Sequence, residues 1–309
     1  MLRPVLTSRT LDLLGPLRPL DDDEVLVIVG ETASGKTALA IELARARGGE
    51  IVGADSVQIY RGFNIGSGKP DEAELDGVVH HLLDVAEPEE AFDAARFVEL
   101  ADAAISDIRG RGLLPIVCGG TYLWVRALLH GLADAPRAPP EVRQALQAEV
   151  ARLGAPALHA RLAAVDGESA KRLHPNDAVR VVRALEVFET TGRTLSSYQA
   201  EHGFRPVRHR ARQIAIRHPR EITDARIERR VDAMLGAGWV DEVRALLATA
   251  PGARALGAVG YAEICAMLRG ELADADVKPA IIRATKIFAR RQRTWLARAP
   301  VEWLTDSSS

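Results

Sequence analysis

The chain has 309 residues, of which 47% are hydrophobic and 27% charged, with 40 lysines and arginines against 42 acids. This composition is typical of a folded globular protein, and the overall charge by itself points to neither a nucleic acid nor a membrane. The longest uncharged stretch, residues 112–125, is shorter than the ~20 apolar residues of a membrane span, which argues against a transmembrane helix.

The first 24 residues mix charged residues with prolines and glycines and contain no unbroken apolar segment of signal-peptide length. We predict a loosely ordered extension and a cytoplasmic protein. Cys118 and Cys265 lie far apart in sequence and favour neither a disulfide scaffold nor a metal site. Cys118 lies in an apolar run, where we expect it to pack as a small hydrophobic residue.

Short apolar runs rich in β-branched residues predict strands. They are Val25–Val29, Ile51–Ala54, Leu114–Cys118, Gln213–Ile216 and Val301–Leu304. Longer segments with helical spacing separate most of them, for example at 37–46 and 92–108. This alternation predicts an α/β fold with a mainly parallel sheet that is covered on both faces.

Some aromatic and histidine residues are assigned to packing. We expect Trp295 and Trp303 to lie in the core near the C-terminus. His80 and His81 are adjacent and lack metal-ligand spacing, so we expect them to pack in a loop or at the end of a strand.

Residues 134–206 contain no convincing strand. Apolar side chains recur there at helical spacing in three stretches, and the third has a capping start at Asp177 and a stop at Gly192. Prolines mark the entry and the exit of this segment. We predict an all-helical domain over 134–206, inserted into an α/β core formed by 25–133 and 207–309.

The first strand leads directly into GETASGKT, which satisfies the phosphate-loop pattern G-x-x-x-x-G-K-[ST]. The glycines let the backbone wrap around phosphate oxygens, and the following helix adds free N–H groups and a partial positive charge. Lys36 would reach the terminal phosphate, and the Thr37 hydroxyl would bind Mg²⁺. The predicted diphosphate contacts are Gly30, Thr32, Ala33, Ser34, Gly35, Lys36 and Thr37. Such a loop is usually a nucleotide site, so ATP or GTP is the default ligand.

Three further predicted strands end in polar residues. Asp55 follows the second strand, Thr121 the third, and Arg217-His218 the fourth. Ligands of an open α/β sheet bind outside the carboxyl ends of its strands, so we expect a phosphate cradle, a carboxylate, a hydroxyl and a cation in one cleft. From the residues alone, Asp55 is also consistent with support of Mg²⁺, and Thr121 with a backbone hydrogen bond after a glycine turn.

The net charge of −2 conceals two basic segments. Residues 205–230 hold nine arginines against three acids, and residues 283–298 hold five arginines and Lys286 with no acid. A nucleic-acid partner is therefore consistent with the distribution of charge, although not with its average.

Six blocks stand in order between residues 25 and 304. They are GETASGKT, GADSVQIYRGFNIGSGKP, HHLLDVAEP, LPIVCGGTYLW, HPNDAVRVVRALEVFETTG and ARRQRTWL. Together they resemble the tRNA isopentenyltransferase (IPP transferase) family; each block is a weak match, whereas six in this order are highly specific. The resemblance implies a P-loop NTPase-like core and an inserted helical domain that grips the anticodon stem-loop of tRNA.

The resemblance also implies a reaction. The phosphate loop would hold the diphosphate of dimethylallyl diphosphate, with Mg²⁺, while the five-carbon group moves to the exocyclic amine of the adenosine on the 3′ side of the anticodon. Asp55 matches the family's general base, a contribution of ~10²–10⁴ in rate. Lys36 and Arg230 would stabilise the departing diphosphate, and Thr121 would contact the target nucleotide. For Arg230 and its helical neighbour Arg226, an exposed ion-paired helix face is the alternative.

A tRNA substrate would be held by both domains. The contacts implied are Asp55, Ser56, Val57, Gln58 and Thr121 in the core, and Arg143, Arg180 and Arg183 in the helical domain. For each of the three arginines, a solvated helix face is the alternative. The target adenosine must leave the anticodon stack to reach the cleft, at a cost of a few kcal/mol. We expect the enzyme to be a monomer.

The chain departs from the family pattern at three positions. Glu31 replaces a proline of the phosphate loop, and a carboxylate there is expected to weaken anion binding. Gly257 and Ala262 replace basic residues, and the loss of two phosphate contacts is expected to lower the salt dependence of tRNA binding by about two units. Arg254 is a candidate for compensation.

Three rival functions are consistent with some of the same residues. They are a small-molecule kinase with ATP in the loop, transfer of the isoprenoid to free AMP or ATP, and a nucleotide-dependent switch that binds RNA without catalysis. The arginines of the inserted helices favour tRNA over a free nucleotide. The pairing of Asp55 with Thr121 at strand ends argues against a non-catalytic switch.

Overall fold

The computed structural model describes residue 21 and residues 23–305. Nearly all of the extension predicted over residues 1–24 therefore lies outside the described residues, as does the end of the chain.

The chain divides into two compact units. The helical unit is His130–Val207, and the core unit combines Met1–Leu129 with Arg208–Ser309. The inserted segment expected at 134–206 thus begins four residues earlier and ends one residue later.

A six-stranded sheet forms the centre of the core unit. Its strands are β1 (Glu24–Gly30), β2 (Gly49–Gly53), β3 (His80–His81), β4 (Leu114–Gly119), β5 (Arg210–Arg217) and β6 (Glu302–Thr305). Their spatial order is β3-β2-β4-β1-β5-β6, and every neighbouring pair is parallel. The predicted α/β fold is confirmed, and all five predicted strands form.

The helices have the following bounds. They are α1 (Lys36–Arg47), α2 (Glu72–Leu75), α3 (Ala94–Gly110), α4 (Tyr122–His130), α5 (Pro140–Leu153), α6 (Ala155–Val165), α7 (Gly167–Arg172), α8 (Ala178–Thr191), α9 (Leu195–His202), α10 (Arg220–Gly236), α11 (Trp239–Thr249), α12 (Tyr261–Leu268) and α13 (Asp274–Leu296). A 3₁₀ helix covers Arg254–Gly257. Within the described part of the chain, no helix is both long enough and apolar enough to cross a membrane.

The alternation of side chains along β1 shows that both faces of the sheet are buried. Val25, Val27 and Val29 belong to one cluster of buried apolar residues, and Leu26 and Ile28 belong to another. Successive residues of a strand point to opposite faces, so a strand covered on both sides becomes a continuous apolar run. That run is what the sequence shows before the phosphate loop.

The segments that follow β2 and β4 lie side by side. Gly53 is opposite Cys118 in the register of the two strands. The Ala54 N–H then donates to the Cys118 carbonyl (2.8 Å), and the Thr121 N–H donates to the Ala54 carbonyl (3.1 Å). A Cβ at Gly119 would overlap the backbone of Ala54, so the close approach requires glycine there. Since β4 pairs with β1 on its other side, three strand ends converge on one region.

Packing expectations have a mixed outcome. Cys118 is buried as expected, and Trp303 packs against the core. The expectation for Trp295 is wrong, because α13 buries the neighbouring Leu296 and leaves Trp295 56% exposed. His80 and His81 form the short edge strand β3.

The helical unit has an apolar core of its own. Its helices α5 to α9 surround a cluster that includes Leu146, Leu162, Val181 and Leu185. The three predicted helices correspond to α5, α6 and α8. The sequence pattern missed α7 and α9, which have six and eight residues and are too short to show a clear periodicity.

Candidate active site at the carboxyl ends of the strands

The phosphate loop links β1 to α1, and its backbone is shaped to hold an anion. Ala33 and Gly35 have positive φ angles of 62° and 90°. Within the described residues, the backbone N–H groups of Ala33, Gly35, Lys36 and Thr37 donate no hydrogen bond. Free N–H groups at such a turn and at a helix N-terminus form a concave, electropositive site for phosphate oxygens.

Gln292 of α13 ties the loop to the segment after β4. Its Oε1 accepts a hydrogen bond from the Thr32 N–H (2.8 Å), and its Nε2 donates to the Gly120 carbonyl (3.1 Å). One side chain therefore sets the distance between the loop and the end of a neighbouring strand.

The end of β5 also supports the loop. The buried His218 donates from Nε2 to the Ser34 carbonyl (2.9 Å). Arg217, which precedes it, lies over the ring of Trp303 at 5.6 Å. The cation expected from this strand end is thus engaged elsewhere, because the strand places His218 under the loop and Arg217 on the indole.

Glu31, the second residue of the loop, has a buried carboxylate. It forms a two-pronged ion pair with Arg293 of α13 (Oε1–Nη2 2.6 Å, Oε2–Nε 3.0 Å) and accepts a hydrogen bond from Thr223 Oγ1 (2.9 Å). Hydrogen bonding to Glu31 raises the pKa of Arg293. The negative charge that was expected to oppose anion binding is therefore balanced inside the protein.

Lys36 lies at the junction of the loop and the end of β4. Its Nζ is 3.8 Å from the position that a Cβ on Gly120 would occupy. Burial lowers the pKa of the Lys36 ammonium, and interactions with Cys118 and Asp55 act in the opposite direction. The lysine and Asp55 are thus within electrostatic reach of each other.

Two arginines of α10 face the same region. The Arg226 guanidinium is 3.1 Å from the position of a Cβ on Gly35, inside the loop. One turn later, Arg230 lies 3.5 Å from the Ser67 carbonyl, and burial lowers its pKa, against the effect of Asp55. Both side chains are partly buried, so they do not lie on a fully exposed helix face.

Asp55 stands two residues after β2 and is half-buried. Its Oδ1 accepts hydrogen bonds from the N–H groups of Val57 (2.9 Å) and Gln58 (3.4 Å). Its Oδ2 accepts none from the described residues, and no cation among them forms an ion pair with the carboxylate. One oxygen therefore holds the turn, and the other is available to a substrate.

Thr121 joins the end of β4 to the Asp55 turn. Its Oγ1 accepts a hydrogen bond from the Ser56 N–H (3.1 Å) and lies 3.3 Å from Ser56 Oγ. The backbone hydrogen bond considered from the sequence is therefore present. It connects the hydroxyl to the residue next to Asp55, so the two predicted site residues are brought together.

Gln58 contacts a loop that a distant carboxylate organises. Its Nε2 donates to the carbonyls of Ser67 (3.1 Å) and Gly68 (3.0 Å). Glu242 of α11 accepts from three successive backbone N–H groups of the same loop, at 2.9, 2.6 and 3.1 Å. These are the N–H groups of Asn64, Ile65 and Gly66. Glu242 thus fixes the segment against which Gln58 and Arg230 rest.

A groove of about 880 Å³ lies along α10 and α13. Its basic lining residues are Arg220, Lys278, Arg283, Lys286, Arg290 and Arg293, and its acidic ones are Glu31 and Asp224. Some of these cations are paired, such as Lys286 with Glu228 at 2.7 Å. Arg283 and Arg290 form no ion pair with any carboxylate of the described residues. Parts of the two basic segments of the sequence therefore meet on one surface.

A protein-family model described as IPP transferase matches residues 58–299 of this chain. The chain belongs to the IPP transferase family. A relative named tRNA dimethylallyltransferase, from Sorangium cellulosum (strain So ce56), is 58% identical over 281 residues, which is 91% of this chain and 90% of that protein. A second protein of that name, from Anaeromyxobacter dehalogenans (strain 2CP-1), is 54% identical over 285 residues, or 91% of this chain and 92% of that one.

Solved structures of IPP transferases are similar as well. The tRNA isopentenylpyrophosphate transferase of Bacillus halodurans is 35% identical with a TM-score of 0.67, covering 92% of this chain and 90% of that one. A eukaryotic dimethylallyltransferase described as acting on tRNA is 25% identical with a TM-score of 0.75, covering 92% of this chain and 74% of that one.

The three arginines matched to RNA-facing positions of IPP transferases have different surroundings in the helical unit. Arg143 pairs with the fully buried Glu186 (2.5 Å). Arg183 donates to two backbone carbonyls and lies 3.6 Å from Glu186. Arg180 is exposed near the start of α8 and pairs with Asp177 at 3.2 Å. Their contact with RNA stays a prediction, for which the exposed Arg180 is best placed.

Gly257 and Ala262, at the two positions where IPP transferases usually carry basic residues, also have different surroundings. Gly257 is exposed in the 3₁₀ helix, and a Cβ there would meet nothing within 4 Å. Ala262 is half-buried on α12. Space for a longer side chain is therefore open at Gly257.

Sequence reasoning missed the side chains that hold this site together. Gln292 and Arg293 lie in the block ARRQRTWL, which indicated the IPP transferase family but not the direction of its side chains. An unexplained acid in the loop was the one available signal, because Glu31 needs a cation when buried. Glu242 gave no signal, since it is one acid among many on an amphipathic helix.

Proposed function

We propose that the protein transfers a dimethylallyl group from dimethylallyl diphosphate to the exocyclic amine (N6) of the adenosine on the 3′ side of the anticodon in tRNA, with release of diphosphate. Membership of the IPP transferase family supports this reaction. In this chain, the observation that carries the proposal is the free carboxylate oxygen of Asp55. Its Oδ2 is unused by the described residues, at the strand end next to a phosphate loop.

Asp55 acts as the general base. The adenine amine is a weak nucleophile whose proton becomes acidic only as its nitrogen bonds to the first carbon of the dimethylallyl group. As that C–N bond forms, the C–O bond to the diphosphate breaks, and the amine proton passes to Asp55 Oδ2. Because Oδ1 is held by the Val57 and Gln58 N–H groups, the free oxygen keeps a fixed direction.

The loop holds the leaving group. The diphosphate gains charge as the C–O bond breaks, so donors that bind it more tightly in the transition state accelerate the step. The free N–H groups of Ala33, Gly35, Lys36 and Thr37 and the Lys36 ammonium are placed for this role. Arg226, at the edge of the loop, and Arg230 provide further positive charge.

Mg²⁺ fits this donor set. The ion prefers oxygen ligands and usually binds through one or two protein oxygens together with phosphates and water. Thr37, the second residue of α1, offers a half-buried hydroxyl for it. When bound, the ion would neutralise developing charge on the diphosphate.

Several features support a polynucleotide acceptor over a free nucleotide. The groove along α10 and α13 contains two arginines without a carboxylate partner in the described structure, Arg283 and Arg290. Arg180 is exposed on the helical unit. Accessible cations of this kind neutralise backbone phosphates and release counterions. The segment Asp55–Gln58 and Thr121 are proposed to contact the flipped adenosine and its neighbours. A tRNA substrate implies a cytoplasmic enzyme, and a monomer stays our prediction.

One assay tests the proposal. The full chain is incubated with labelled dimethylallyl diphosphate, Mg²⁺ and unmodified tRNA, and in parallel with AMP or with ATP as acceptor. A tRNA with guanosine in place of the target adenosine is the matched control. We expect label on the first tRNA and on none of the other acceptors.

The other outcomes identify the rival functions. Label on AMP or ATP alone would indicate transfer to a free adenylate. Hydrolysis of ATP without prenyl transfer would favour a kinase or a nucleotide-dependent switch. Either result would contradict the proposal.

A further inference from the structure

Glu31 carries a negative charge in a loop that is built to hold a diphosphate. Only 3% of its surface is exposed. The next residue, Thr32, is held through its N–H by Gln292. A buried carboxylate would repel a diphosphate in the same loop strongly, because the surrounding dielectric is low. The loop therefore requires a compensating cation at Glu31.

Arg293 is that cation. Both oxygens of Glu31 are engaged by its guanidinium, at 2.6 and 3.0 Å, and a two-pronged contact fixes the direction of a carboxylate as well as its distance. Thr223 Oγ1 completes the arrangement, 2.9 Å from Glu31 and 3.4 Å from Arg293 Nη2. Glu31 and Arg293 are 262 positions apart, so the loop is fastened to a different helix of the core unit.

The ion pair also supplies a restraint that the loop would otherwise lack. A proline, which the family pattern has at this position, fixes φ near −65° on its own. Glu31 has no such limit on its backbone. Its side chain, held by Arg293 and Thr223, restrains the residue from outside the loop.

We propose that Arg293 is a positioning residue of the diphosphate site, whose ion pair with Glu31 neutralises the loop's own carboxylate and fixes the loop for diphosphate binding. This inference rests on the proposed function, because the diphosphate is that of dimethylallyl diphosphate. Arg293 acts through Glu31. Asp224 and Glu221 also face Arg293, but they raise its pKa less than Glu31 does. Asp224 already lies 3.7 Å from Lys286.

The test measures diphosphate binding without the reaction. Inorganic diphosphate with Mg²⁺ is titrated calorimetrically into the full chain, as the parent protein, Arg293→Met, Glu31→Gln and the double variant. Arg293→Met should raise the Kd at least about 10-fold, because it leaves a buried carboxylate uncompensated. The double variant should bind more tightly than Arg293→Met, because neither charge remains, and should stay about 3–10-fold weaker than the parent, because the restraint on the loop is lost.

Kinetics separate this role from a general loss of structure. In Arg293→Met the KM for dimethylallyl diphosphate should rise in parallel with the diphosphate Kd, while the KM for tRNA stays unchanged. A packing defect would raise both constants and would not be rescued by Glu31→Gln. Arg269→Met, which removes an exposed arginine just after α12 and outside both basic segments, is the matched control and should change neither constant.

Arg293→Met that binds diphosphate as tightly as the parent would overturn the inference, and so would a double variant as weak as the single one. If Arg293→Met does not fold, Arg293→Lys replaces it, because lysine keeps the charge but not the two-pronged contact, and about a 3–10-fold loss is expected. Unchanged affinity in that variant would overturn the inference too. If diphosphate binding changes as expected but the parent transfers no prenyl group to tRNA, only the proposed function is contradicted. A parent protein that binds no diphosphate would overturn both.

Discussion

Strand β2 has a carboxylate near each end, and the two are held in opposite ways. Near its start, Glu50 is 5% exposed, and both of its oxygens are bonded, to Arg111 (Oε2–Nη2 2.7 Å, with Nη1 on Oε1) and to His81 (2.6 Å). Just past its end, Asp55 uses one oxygen for two backbone N–H groups and has no partner for the other within the described residues.

This difference distinguishes an acid that stabilises the fold from one that is placed for chemistry. The Arg111 guanidinium, together with His81, holds the pKa of Glu50 at about 2, against the opposing effect of burial. An acid saturated by cations stays charged and accepts no proton near neutral pH. An acid with an unused oxygen, at the end of the sheet where ligands bind, can accept one.

The helical unit contains an acid of the first kind. Glu186 is fully buried, pairs with Arg143 at 2.5 Å and lies 3.6 Å from Arg183. Those two arginines compensate a buried charge, whatever else they contact. Among the residues that the structure describes, the partly exposed Asp177 is the only ion-pair partner of Arg180, so Arg180 resembles the chemically available groups of the core unit.

The largest effect is expected from removing the cation beside Asp55. Lys36→Met should lower kcat/KM for dimethylallyl diphosphate about 10²–10³-fold, because the departing diphosphate loses a positioned donor. The unfolding temperature should not fall, since the ammonium is buried at a cost that lowers its pKa. Steady-state transfer of labelled substrate measures the first quantity and thermal unfolding the second. Lys171→Met in the helical unit removes an exposed lysine and is the control; equal losses in both variants would contradict the assignment.

The opposite result is expected at the other end of β2. Glu50→Gln should lower the free energy of unfolding at neutral pH by up to about 3 kcal/mol and leave kcat unchanged. The folded-state pKa of about 2 is below the ordinary 4.5, so the unfolded chain binds more protons between these values. The stabilisation is therefore complete above pH 4.5 and is lost as the pH falls toward 2.

Urea unfolding at a series of pH values measures this contribution. The free energy of unfolding of the parent should fall more steeply with acid than that of Glu50→Gln. Parallel curves would mean that Glu50 is not the group responsible.

The smallest effect is expected in the helical unit. Arg180→Ala should weaken tRNA binding a few-fold and reduce the salt slope by about one, with no loss of stability. Arg143→Met should instead lower the unfolding temperature and leave the salt slope of tRNA binding unchanged, because it leaves Glu186 buried with its main partner removed. Filter binding across a salt series and thermal unfolding distinguish the two. A reduced slope in Arg143→Met alone would exchange the assigned roles.

The sequence predicted the parts of the fold that local pattern determines. The apolar run of β1 and the motif after it predicted strand, loop and helix, because backbone geometry and phosphate chemistry restrict which residues can stand there. Chain order then brought Asp55 and Thr121 together, since both follow parallel strands that pair side by side. The prediction for Trp295 was wrong because neighbouring residues of a helix point in different directions: Leu296 lies on the buried face of α13, and Trp295 lies on its exposed face.

The supports of the site could not be predicted in the same way. The Glu31–Arg293 pair, the Gln292 bridge and the Glu242 contacts join residues more than 170 positions apart. No local periodicity encodes such pairs, and their side-chain directions follow only from the packed helices α11 and α13. A polar residue in an apparently tolerant position, such as Glu31, is the kind of signal that points to a distant partner.

The central claim is that the free oxygen of Asp55 takes the proton of the acceptor amine. Asp55→Asn tests it most directly, because the amide keeps an oxygen for the Val57 and Gln58 N–H groups while removing the base. In single-turnover transfer, we expect the rate to fall at least ~100-fold, with tRNA binding nearly intact. Transfer at the parental rate, or an equal loss of transfer and tRNA binding, would contradict the account.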